Sequence, residues 1–274
     1  MKKILFICDG DHFSEGAFRF IRKLRENETL FVKGLFFTEV DTDQLVAVGF
    51  IPNSGPYAKM REEESLSLKK SQEKFSGLCN EHGIRFQVHP NHSSWDKDLF
   101  IRESRFADLV VISEQLFSNA IFDIQPNYYM VEALHSSECP VMVIPDNFES
   151  IDRLAIAYDG GKEAMFALKQ FAYLFPELTS LPAEFVHASD ETSERVPDHD
   201  LLLEYTGIHF ESLHTSRLHF DPKKYFSAWL ENKKNVCLVA GSYSRSSLSN
   251  TFRQSFSDRI IAEKACPVFI SHFS

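Results

Sequence analysis

Two phrases occur twice in this chain, in the same order, and that duplication limits what it can fold into. Lys3-Ile4-Leu5-Phe6-Ile7-Cys8-Asp9-Gly10 returns as Arg153-Leu154-Ala155-Ile156-Ala157-Tyr158-Asp159-Gly160. Each is a short apolar run stopped by Asp-Gly ahead of a helix-like stretch. Cys139-Pro140-Val141-Met142-Val143-Ile144 returns as Cys266-Pro267-Val268-Phe269-Ile270. The two Asp-Gly pairs stand farther apart than the two Cys-Pro pairs. A shared order with unequal spacing means one unit used twice, with more loop in the first copy. The expected domains are residues 1–146 and 151–274, and each is long enough to bury a core of its own. Pro145-Asp146-Asn147-Phe148-Glu149-Ser150 is the connection, and its shortness implies that the halves pack together.

Apolar runs alternate with amphipathic ones. In the first half, strands are expected at 3–8, 30–37, 84–88, 109–112 and 141–144. Helices are expected at 13–27 and 58–82, from a cap at Ser94 to about Phe106, and at 127–137. In the second half, strands are expected at 153–158, 183–188, 207–213, 236–240 and 267–270. Its helices are expected at 162–174, 198–206, 222–232 and 255–264. Strands apolar throughout and separated by helices specify a parallel sheet covered on both faces. The fold class is therefore α/β, with each half a doubly wound five-stranded parallel sheet. Residues 41–57 interrupt the pattern with a long loop rich in large apolar groups. It reads either as a loop packed on its own domain or as a lid or partner contact.

Composition excludes several function classes. The net charge of −10 and the lack of any dense Lys/Arg run speak against nucleic acid. No apolar stretch is long enough to span a bilayer, and the N-terminal apolar run ends at Asp9, too early for a secretory signal. The five cysteines, at 8, 79, 139, 237 and 266, mostly sit in or beside apolar runs and form no Cys-x-x-Cys, which suits reduced thiols in a cytoplasm. The histidine trios at 82, 89 and 92 and at 209, 214 and 219 match no metal-ligand spacing, so no metal is expected. No catalytic residue is assigned, because no general base stands near the candidate ligand contacts.

Those contacts come from where ligands sit on open parallel sheets, beyond the carboxyl ends of strands where strand order reverses. In the second half this address holds Asp159-Gly160 and the run Gly241-Ser242-Tyr243-Ser244-Arg245-Ser246-Ser247-Leu248, continuing to Gln254-Ser255-Phe256. A glycine after a strand lets a ligand approach the backbone. Hydroxyls and amides at a helix start hold phosphate oxygens. Arg245 adds charge, and Asp159 accepts from a ribose hydroxyl or an adenine amino group. Together Asp159, Gly160, Gly241, Ser242, Ser244, Arg245, Gln254, Ser255 and Phe256 describe a nucleotide site. The bland alternative is a Ser-rich loop capping a helix. In the first half the corresponding strand runs into Ser113-Glu114-Gln115-Leu116-Phe117, with no glycine and a carboxylate that repels phosphate, so none is expected to bind there.

The whole chain resembles a tandem universal stress protein. The family unit opens with a strand ending in Asp-Gly and closes on Cys-Pro-Val and a last strand, as both halves do. Its loop after the fourth strand has the form Gly-x-x-Gly, nine residues, Gly-Ser/Thr. Here that frame reads Gly241, Ser244, Gln254 and Ser255, with Arg245-Ser246-Ser247-Leu248 similar to the family's Arg-Ser-Gly-Leu. The two later glycines are replaced, and Gln254 crowds the phosphate position. The resemblance implies an adenine nucleotide alpha hydrolase-like fold and ATP or AMP as the ligand. It also implies fifth strands that meet inside the molecule as a pseudo-dimer, with loop 41–57 the candidate contact for a homodimer. The function implied is a stress-response protein that binds or senses an adenine nucleotide through its second half. The alternative is a nucleotide-independent interaction protein of the same fold.

Overall fold

A computed structural model describes residues 1–10, 12–38, 55–90, 94–117, 128–188, 196–218, 233–241 and 266–271. The first half contributes strands β1 (Lys2–Asp9), β2 (Leu30–Phe37), β3 (Arg85–Val88), β4 (Leu109–Ser113) and β5 (Val141–Ile144). Its helices are α1 (Glu15–Asn27), α2 (Gly55–Glu81), α3 (Lys97–Ser104) and α4 (Tyr128–Ser136). The second half contributes β6 (Arg153–Ala157), β7 (Ala183–Ala188), β8 (Leu213–Leu218), β9 (Val236–Gly241) and β10 (Val268–Ser271). Its described helices are α5 (Lys162–Leu174), followed by a 3-10 turn at Pro176–Ser180, and α6 (His199–His209).

Among the described residues ten strands form one sheet in the order β3-β2-β1-β4-β5-β10-β9-β6-β7-β8. Read inward from each outer edge, the two halves have the same order, 3-2-1-4-5. Within each half every neighbouring pair is parallel. The halves meet at an antiparallel pair, in which Val141, Met142 and Val143 face Ile270, Phe269 and Val268. Burial follows this order. The central strands β4, β5 and β10 are buried at every residue, whereas the edge strand β3 alternates exposed and half-buried residues. A continuous apolar run belongs to a strand covered on both faces.

The pleat sends alternate side chains to opposite layers. Ile4, Phe6 and Cys8 point to the layer of Phe20, Ile21 and Leu24 of α1 and Phe75 and Cys79 of α2. Leu5 and Ile7 point to the layer of Leu99 and Phe100 of α3 and Met130, Ala133 and Leu134 of α4. The first layer runs unbroken across the β5–β10 junction. Phe20 packs edge-on against Phe148 and Phe175, with centroids 5.8 and 6.1 Å away. Phe171 and Phe175 in turn pack on Phe269 of β10 at 5.3 and 5.8 Å. Lys2 of β1 reaches both Glu28 and the carbonyl of Leu174.

Two local expectations are corrected. The cap of α3 is Asp96, whose Oδ1 accepts the Leu99 amide at 2.9 Å, while Ser94 bridges to Thr38 as an isolated strand contact. The expected strand at 207–213 is instead the end of α6 and a turn, with β8 starting at Leu213. The buried Leu202 and Thr206 give α6 a helical spacing that carries it through His209. Helix α2 starts at Gly55, inside the stretch read as loop 41–57, and the rest of that loop lies outside the described residues. The expected helices at 222–232 and 255–264 also lie outside them.

Candidate functional site

Strands β6 and β9 are neighbours, with Ala157 level with Ala240. Their carboxyl ends therefore place Asp159-Gly160 beside Gly241, at the point where strand order reverses. Gly160 has φ +82°, and a Cβ there would stand 2.5 Å from Pro197 Cβ. A side chain is excluded both by the left-handed backbone and by the proline packed against it. Gly241 is tight for another reason. A Cβ would lie 2.5 Å from the Ala164 amide nitrogen and 2.5 Å from the Glu163 carbonyl carbon. The end of β9 is thus pressed on the first turn of α5.

That helix starts at Gly161, a cap with no side-chain hydrogen bond. Asp159 is exposed, and its Oδ1 accepts the Gly161 amide at 2.9 Å. Glu163, in the first turn, is buried to 8 % exposure. Tyr158, also buried, packs on Phe185, and burial followed by the nearby Asp198 carboxylate raises its phenol above the ordinary range. The described part of the site is therefore acidic. It offers acceptors to hydroxyl or amino groups, and its one cation in the first turn of α5, Lys162, lies 3.9 Å from Glu163 Oε1.

The corresponding place in the first half is closed by its own residues. Asp9 is buried, and its carboxylate accepts the His12 amide at 2.5 Å and the Phe117 amide at 3.0 Å. The Gly10 carbonyl accepts the hydroxyls of Ser67 and Ser71 from α2 at 2.9 and 3.0 Å. Helix α1 is capped by Ser14, whose Oγ accepts the Ala17 amide at 3.1 Å and donates to Asp146 Oδ1 at 2.9 Å. His12 Nε2 lies 3.3 Å from Asp146 Oδ2 but off the line of a good hydrogen bond. The backbone at Pro145–Asp146 covers this helix start so closely that a Cβ on Gly16 would meet the Pro145 oxygen at 2.1 Å.

No family model matches the sequence, and no curated protein matches it either. Solved structures do. A universal stress protein from Archaeoglobus fulgidus DSM 4304 superposes with a TM-score of 0.70 at 18 % identity, covering 99 % of this chain and 96 % of that one. A putative universal stress protein from Pseudomonas aeruginosa UCBPP-PA14 gives 0.61 at 13 % identity, with 99 % and 93 % covered. A functionally unknown protein from Pseudomonas aeruginosa PAO1 gives 0.60 at 13 % identity, with 99 % and 92 % covered. This chain has the universal stress protein fold.

On that fold, Asp159 and Gly160 follow β6 and Gly241 ends its neighbour β9. Ser242, Ser244, Arg245, Gln254, Ser255 and Phe256 lie outside the described residues. Sequence reasoning missed Pro197, Glu163 and Ala164, which reach the site by packing and carry no motif. The doubled Gly160-Gly161 was the available signal, since two glycines after a strand leave room for a neighbour. Sequence reasoning also missed the closing roles of Phe117 and Asp146. Among the described residues no group of three His, Cys, Asp or Glu is placed to hold a metal ion, and no helix is long and apolar enough to cross a membrane.

Proposed function

We propose that this is a tandem universal stress-type protein that binds an adenine nucleotide, ATP or AMP, through its second half in a stress response. The observation that carries the reading is the meeting of an exposed Asp159 with Gly241 at the switch point, where Gly241 lets the end of β9 sit directly on the first turn of α5. These residues fit the adenosine end of such a ligand. Asp159 accepts from a ribose hydroxyl or the adenine amino group, and Ser242, Ser244, Arg245 and Ser255 are assigned to the phosphates. The two halves act as an intramolecular pseudo-dimer paired through β5 and β10. The five free cysteines favour a reducing, cytoplasmic setting. Calorimetry with ATP, AMP and cyclic AMP tests the reading. One site per chain is expected, abolished by Asp159→Ala and retained in Asp9→Asn. No heat at millimolar nucleotide would end it.

A second reading is a nucleotide-independent interaction protein. It is favoured by Leu201 and Ile208, 66 % and 74 % exposed, one heptad apart on α6. Leu201→Glu with Ile208→Glu would then abolish partner capture in pull-downs whether or not nucleotide is present, and unchanged capture counts against it.

A further inference from the structure

The closure of the first half centres on Phe117, a residue whose backbone is out of the ordinary for its type. Its φ is +52°, in the left-handed region where a bulky side chain is rare. An outlier of this kind persists only where its surroundings hold it. The surroundings here are specific. The Phe117 amide donates to Asp9 Oδ2 at 3.0 Å, joining the end of β1 to the segment after β4. The turn before it is fixed by the Leu116 amide on the Ser113 carbonyl and the Gln115 amide on Ser113 Oγ, each at 3.1 Å. The ring, 1 % exposed, packs 4.8 Å from Tyr129 and 6.3 Å from Trp95, and Trp95 lies 5.1 Å from Phe37 at the end of β2. These groups come from the carboxyl ends of β2 and β4 and the entries to α3 and α4. The Asp9–Phe117 bond spans the carboxyl ends of the neighbouring strands β1 and β4, the switch point where an open α/β sheet holds its ligand, and the ring joins the core layer of α3 and α4.

We propose that the first half fills its own crevice: the ring of Phe117 takes the place of a planar ligand ring, and the Asp9–Phe117 hydrogen bond latches it there. Counted from the end of the matching strand, the second copy has Arg245 at this position, so the plug belongs to one copy alone. The chain thereby answers to ligand with one half at most. The inference rests on the first half and holds whether or not the second half takes a nucleotide.

Phe117→Gly tests it, because glycine keeps the left-handed backbone without strain and removes the ring. The variant is made in an Asp159→Ala background, so that binding by the second half does not enter. It is titrated with adenosine and with toluene, following the rise in melting temperature with guest concentration. An open crevice admits adenosine, whose ribose must reach solvent, and the rise is expected with adenosine in this variant and not in Asp159→Ala alone. A rise with toluene only identifies an ordinary buried cavity and overturns the proposal, as does no rise with either guest in a folded variant. Hydrogen exchange on Asp9→Ala, which leaves no side-chain acceptor, tests the latch without removing the ring. The Phe117 amide is expected to lose protection at least tenfold while the Val111 amide keeps its own. Equal protection of Phe117 in both proteins would refute the latch.

Discussion

Gly241 of β9 lies against Ala164 of α5 so closely that a Cβ would stand 2.5 Å from the Ala164 amide nitrogen. Neither partner can give way easily, because one is the end of a central strand and the other the first turn of a packed helix. Gly241→Ala is therefore expected to destabilise the protein by roughly 1–3 kcal/mol, the usual range for overpacking. Gly207 in α6 is the control. It is exposed, nothing lies within 4 Å of its added Cβ, and Gly207→Ala is expected to stabilise by about 0.5–1 kcal/mol. Urea denaturation of the two variants should move the midpoint in opposite directions, and equal shifts would show that the close approach is not a constraint.

The β5–β10 pair alone is a short seam, and the ring stack of Phe20, Phe175 and Phe269 beneath it extends the contact into the helical layer. Phe20→Ala removes the ring that touches both Phe148 and Phe175, at an expected cost of about 3–5 kcal/mol. The wild-type protein is expected to melt in one transition, because the first core layer crosses the seam without a break. In Phe20→Ala the calorimetric enthalpy should exceed the van't Hoff value as the halves begin to melt separately. A ratio that stays at one would place the coupling elsewhere.

Where the sequence spoke clearly, it did so through largely apolar runs and amphipathic periodicity. Leu30–Phe37, Val141–Ile144 and Lys162–Leu174 are bounded in the structure as their patterns indicate, the last two behind Cys139-Pro140 and Gly160-Gly161. The segment 207–213 reads as a strand because Ile208 and Phe210 mimic strand alternation, while the helical spacing that decides it starts earlier, at Leu202. At the site, Asp159, Gly160 and Gly241 were legible because turns and close approaches demand particular residue types. Phe117 and Asp146 were not, because hydrogen bonds between residues more than a hundred positions apart leave no local pattern. The sequence reading gives two five-stranded sheets with fifth strands that meet, and the antiparallel hydrogen bonding of β5 with β10 joins them into one ten-stranded sheet, a matter of strand edges that apolar content does not describe.

A charged trio beneath α3 makes stability depend on acid. Lys33 Nζ lies 2.7 Å from Glu103 Oε1, and His89 Nε2 lies 3.7 Å from the same oxygen. Burial lowers the His89 pKa first, and Lys33 and Arg102 lower it further against the pull of Glu103. The folded protein thus takes up the His89 proton less readily than the unfolded chain, whose histidines titrate near ~6.5. The contribution to stability is full above that pH and falls as pH drops through it toward the lower folded value. His89→Gln should flatten the fall in stability between roughly pH 7 and pH 5, measured by urea midpoints across that range. An unchanged slope would mean that His89 is not the group responsible.

The thiols predict the opposite end of the pH scale. Cys8, Cys79, Cys237 and Cys266 are buried and Cys139 is half-buried, all unbridged. Burial pushes Cys79, Cys139 and Cys266 up to about 12, and raises Cys8 and Cys237 as well. A raised folded pKa means that stability is intact below the unfolded thiol value of about 8.5 and is lost as pH climbs beyond it. Stability is therefore expected to start falling near that pH. At neutral pH the native protein should resist iodoacetamide, because reaction needs both the thiolate and access. Mass spectrometry of timed aliquots should show Cys139 modified first and the other four only at the rate of unfolding, with all five reacting together in concentrated urea. Prompt labelling of Cys237 or Cys266 in the native protein would mean that β9 and the entry to β10 open far more readily than their packing implies.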